Sequence, residues 1–64
     1  MIVVMAQDAT SDQIQHMAER VESLGLKSHV IHGTEHTVIA AIGEKREHMK
    51  ESLESGAGVS KVVP

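Results

Sequence analysis

Residues 26–43 read LKSHVIHGTEHTVIAAIG, two extended arms turning back on each other at Gly33-Thr34-Glu35. The second arm, TVIAAI, is almost wholly apolar, as a central strand of a sheet is. The first arm alternates. Ser28, Val30 and His32 point one way, and His29 and Ile31 the other. Three histidines, His29, His32 and His36, crowd the turn. A hairpin with one apolar and one mixed arm must bury one face, so the flanking segments have to supply cover.

Those segments have the right periods. MIVVM at 1–5 is a continuous apolar run, the pattern of a strand buried on both faces. Gln7, Asp8 and Ala9 form a loop. Thr10 with Gln13 three residues on matches a capping box, and Asp12 sits where the helix dipole favours an acid. Ile14, Met17, Ala18, Val21 and Leu24 then recur at the spacing of one helical face, and Gly25 is placed to end the helix in the left-handed conformation. After the hairpin, 45–55 reads as a second helix with Met49 and Leu53 as its apolar stripe. Gly56 and Gly58 loosen the connection to a last strand at 59–63, which Pro64 ends. The order βαββαβ predicts an α+β fold: a four-stranded antiparallel sheet with two helices on one face and the first and third strands central. The other face then has no helix over it. Ile31 and parts of the central strands meet water or a partner there, so this face is a candidate surface for self-association.

Composition narrows the function. The 64 residues make one domain, and a chain this short buries only about 60% of the surface its unfolded form exposes. There is no Phe, Tyr or Trp, so the core falls to Val, Ile, Leu, Ala and the methionines Met1, Met5, Met17 and Met49 as fillers. A core of such small side chains gains stability from association. The same absence removes the aromatic platform on which small domains of this order stack single-stranded RNA, and a net charge of -3 argues against a basic patch for phosphates; nucleic acid is not expected as a partner. Without cysteine there is no disulfide, thiolate nucleophile or Cys-based metal site, and a reducing cytoplasm fits. No apolar run approaches a membrane span, and the start has no basic region before its short apolar run, so neither a membrane nor a signal peptide is indicated.

Chemistry is hard to find in the residues. The carboxylates are spread along helix faces with no converging pair, and there is no glycine-rich phosphate loop; no catalytic residue and no cofactor is expected. His29, His32 and His36 invite a metal reading, because imidazole is a common ligand. Strand alternation opposes it by sending His29 and His32 to opposite faces. The plainer reading leaves His32 and His36 beside an exposed turn, His29 on the open sheet face, and His16 and His48 as solvated helix positions. Metallochaperones with this element order need Cys-x-x-Cys, which is absent. The architecture is ACT-like, but amino-acid-binding ACT domains carry a glycine-containing loop after the first strand, and Gln7-Asp8-Ala9 does not match it.

The opening MIVV, the pattern L-K-x-H-x-x-x-G-x-E-x-T-V-I-x-x-I-G of the hairpin and the closing VSKVV resemble the N-terminal ferredoxin-like domain of one class of 3-deoxy-D-arabino-heptulosonate 7-phosphate (DAHP) synthase. The resemblance covers essentially the whole chain. It implies a regulatory domain that does no chemistry, carried by an enzyme whose catalytic barrel condenses phosphoenolpyruvate with erythrose 4-phosphate, the first step toward the aromatic amino acids. Pro64 falls where the linker to that barrel would begin, so the chain is expected to be either that domain alone or a stand-alone relative. In feedback-sensitive members tyrosine or phenylalanine binds between paired regulatory domains and holds them over the mouth of the barrel. A second-strand histidine and a hydroxyl residue two positions later contact it. His29 matches the histidine, while Ile31 stands at the hydroxyl position. The resemblance thus implies an effector site at His29, with Ile31, Gly33 and Thr37 nearby. The alternative is a structural dimerisation domain with no small-molecule ligand, which Ile31 favours.

Overall fold

The computed structural model describes residues 1–44 and 49–63. Its elements are β1 (Ile2–Met5), α1 (Ser11–Ser23), β2 (Lys27–His32), β3 (Thr37–Ile42), α2 (Met49–Glu54) and β4 (Val59–Val63). Local chemistry sets both ends of α1. Thr10 is extended (φ -79, ψ 161), its Oγ1 accepts from the Gln13 amide at 3.1 Å, and its own amide donates to the Gln13 side chain at 3.0 Å. This is the predicted capping box, which satisfies backbone donors that a helix start leaves unpaired. At the far end the Gly25 amide donates to the Glu22 carbonyl (3.0 Å) and the Leu26 amide to the Val21 carbonyl (3.3 Å), the two bonds of a Schellman turn. That turn requires Gly25 at φ +85, a conformation that a Cβ disfavours.

The sheet is antiparallel in the order β2-β3-β1-β4, so β1 and β3 are central as their apolar runs predict. This is the ferredoxin-like arrangement. Its register places Val62, Val3, Ile39 and Val30 in one row across all four strands. This row faces the helices: Val3 and Ile39 are wholly buried, and Met17 and Val21 of α1 join Met49 and Leu53 of α2 in the same core cluster. Met5, Met17 and Met49 are buried fillers, with Met1 packed at the margin.

Two expectations are modified. The second helix predicted over 45–55 is described over Met49–Glu54, and positions 45–48 lie outside the described residues, as does Pro64. The first strand is not buried on both faces: Val3 and Met5 are, but Ile2 keeps 36% of its surface exposed. The reason is architectural, because both helices lie on one side and no described element covers the other.

Candidate functional site

The uncovered face is built by the residues that alternate with the core. One row across the sheet is Val63, Ile2, Ala40 and His29; the next is Lys61, Val4, Val38 and Ile31; Ile42 pairs with Lys27 beyond them. Aliphatic side chains fill the middle, and among the described residues the exposed large ones all stand here: Ile42 at 58%, Ile31 at 46%, Val63 at 42% and Ile2. These aliphatic side chains stand together across neighbouring rows of the face rather than scattered over the surface.

The structure brings together some of the predicted site residues and separates others. His29 and Ile31 are exposed neighbours on the open face of the edge strand β2, opposite Ala40 and Val38. Gly33 lies in the turn, where its amide donates to the His36 carbonyl at 3.0 Å; a Cβ at Gly33 would strike that carbonyl oxygen. Gly33 therefore closes the hairpin. Thr37 does not join His29. It shares its side of β3 with the buried Ile39 and Ala41 and pairs with His32, so its half-buried side chain is directed to the helix side of the sheet. Strand alternation corrects the grouping that closeness in sequence suggests.

The other histidines divide as the alternation demands. His32 is exposed on the side away from His29, and His16 is exposed on α1; His48 lies outside the described residues. His36 does more than flank the turn. Its Nδ1 is 3.0 Å from the Met5 carbonyl, an oxygen that can only accept, so the ring donates and ties the hairpin turn to the end of β1. Among the described residues no group of three or more His, Asp or Glu is placed to hold a metal ion, and no helix is long and apolar enough to cross a membrane.

Two basic residues of the open face, Lys27 and Lys61, were missed by sequence reasoning. The signal was present, because Lys27 stands two positions before His29 and so shares its face. A separate, open concavity lies between α1 and the loop after α2, at His16, Arg20 and Gly56, where the Arg20 Nη2 donates to the Ser52 Oγ at 2.9 Å. It is on the helix side of the molecule and does not meet the sheet face.

Comparison with known proteins decides the family. The family model described as the DAHP synthase ferredoxin-like domain matches residues 1–64. The chain belongs to this family. Among curated proteins it is 38% identical over 63 residues to a phospho-2-dehydro-3-deoxyheptonate aldolase of Thermotoga maritima, an alignment that covers 98% of this chain and 19% of that protein. Among solved structures it is similar to the crystal structure of the Thermotoga maritima phospho-2-dehydro-3-deoxyheptonate aldolase (DAHP synthase), with a TM-score of 0.84 and 35% identity over 94% of this chain and 18% of the other. The chain thus spans about a fifth of the length of these DAHP synthases.

Proposed function

We propose that the chain is a non-catalytic regulatory domain of a cytoplasmic DAHP synthase in aromatic amino-acid biosynthesis, and that it binds phenylalanine or tyrosine between two copies paired through their open sheet faces. The observation that carries this reading is the placement of His29 and Ile31 side by side on an aliphatic face that no helix covers. An apolar surface of that kind is stabilised by a partner, and a ligand seated at its edge contributes contacts only in the paired state. Effector binding then shifts the population of domains toward the pair, and the pair shields the mouth of the catalytic barrel. Couplings of this kind are typically about 1–3 kcal/mol, enough for a several-fold change in occupancy. The domain needs no nucleophile, base or cofactor for this role; the partner it must meet is a second copy of itself, together with the barrel.

Calorimetric titration of the chain with phenylalanine, tyrosine and leucine tests the reading. The expected result is binding of an aromatic amino acid that is lost in His29→Ala. Absence of binding by either aromatic amino acid, or binding unchanged in His29→Ala, overturns it. A second reading is favoured by Ile31, an aliphatic residue where the family resemblance expects a hydroxyl: the face pairs constitutively and holds no ligand. Pairing without any response to amino acids is its signature.

A further inference from the structure

The open face is uneven in charge. None of the four strands contains an Asp or Glu, although the chain has nine acidic residues and a net charge of -3. The polar groups on the face are Lys27, His29 and Lys61, and neither lysine has an ion-pair partner among the described residues. On β2 three of the face positions fall in line. Lys27, His29 and Ile31 follow one another at every second residue, about 7 Å apart, giving a cation, an imidazole and an aliphatic group along one edge strand. Lys61 is at the opposite edge in the row of Ile31, about 14 Å from Ile31 across three strand spacings and farther still from Lys27.

We propose that Lys27 is the carboxylate-binding residue of this face, and that the face recognises an apolar-bodied carboxylate rather than a zwitterion as such. The inference rests on the effector reading above and extends it to the chemistry of the ligand. A flexible ammonium two residues from His29 reaches back along the strand over the imidazole, while the ligand's apolar part lies toward Ile31 and Val38. Among the described residues no carboxylate stands on this face to meet the charge of an α-ammonium. Pairing does not supply one, because an isologous contact brings the same patch from the second copy. The carboxylate and the apolar body therefore carry recognition, and the amino group is dispensable.

The test is a titration of the isotopically labelled chain, followed through its backbone amide resonances, with phenylalanine, 3-phenylpropionate and phenethylamine. Phenylalanine and 3-phenylpropionate should both shift β2 resonances, with dissociation constants within a few-fold of each other, and phenethylamine should not. Lys27→Gln should weaken both carboxylates by about tenfold or more, the usual scale for losing one charge-assisted contact, whereas Lys61→Gln, with the same change in net charge, should leave them within about twofold. Both substitutions are at exposed positions, so the fold survives them. If phenylalanine binds and Lys27→Gln binds it equally well, or Lys61→Gln loses as much, the assignment of Lys27 is wrong while the effector reading stands. Binding of phenethylamine in preference to 3-phenylpropionate overturns the ligand class. If none of the three binds, the effector reading falls and the inference with it.

Discussion

Thr10 and Gln13 exchange hydrogen bonds across one turn, and everything needed to foresee it lies within four residues. Thr10→Ala removes one half of the exchange and should cost about 1 kcal/mol. Urea unfolding followed by far-ultraviolet circular dichroism measures it, since the chain has no Trp or Tyr to fluoresce. Gly25 was equally legible, because a helix stop is a local event. His36 was not: its partner, the Met5 carbonyl, is 31 residues away, and no periodicity in either segment announces the bond. His36→Ala should lower stability by about 0.5–1.5 kcal/mol in the same unfolding assay. Thr37 shows the converse failure. It is close to His29 and Ile31 in the hairpin sequence, yet the period of two places it on the other side of the sheet. Ile31 bears on ligand choice. A site that meets a phenolic hydroxyl with an aliphatic group leaves that hydroxyl unmatched, which discriminates strongly between otherwise similar ligands. Ile31→Ser should therefore improve binding of tyrosine relative to phenylalanine, and a titration with both amino acids checks this.

At the scale of elements, the four strands and α1 follow from pattern because each repeats its signal over several residues. The second helix offers only Met49 and Leu53 as an apolar stripe, so its existence was readable and its extent was not. The two sides of the sheet make different predictions. Leu53, on the inner side of α2, is wholly buried, and Leu53→Ala should cost about 2–5 kcal/mol, comparable to the whole stability of roughly 3–5 kcal/mol that a domain this small sustains. Ile42 is 58% exposed on the open face, and Ile42→Lys should change monomer stability by no more than about 0.5 kcal/mol. A lysine there nevertheless adds a second charge beside Lys27 and removes the most exposed aliphatic group of the face, so the same substitution should abolish pairing. Unfolding midpoints for the two variants, read beside their sedimentation, separate a core position from an interface position.

The molecule as a whole is a half-covered sheet. Its helices bury Val3, Met5 and Ile39 and leave Ile2, Ile31, Ile42 and Val63 to water. The continuous apolar run of the first strand anticipated cover on both faces; one face has it within the chain, and on our account the other receives it from a second copy. The run MIVV alone does not distinguish cover by a helix of the same chain from cover by a partner; the βαββαβ order does point to it, because it leaves one face of the sheet without a helix. In the proposed regulation an aromatic amino acid controls that second cover. Sedimentation velocity with interference optics, on the chain alone and with phenylalanine or tyrosine, tests it most directly. The expected result is a shift toward twice the mass with an aromatic amino acid, absent in Ile42→Lys and in His29→Ala. A distribution that neither amino acid alters would contradict it.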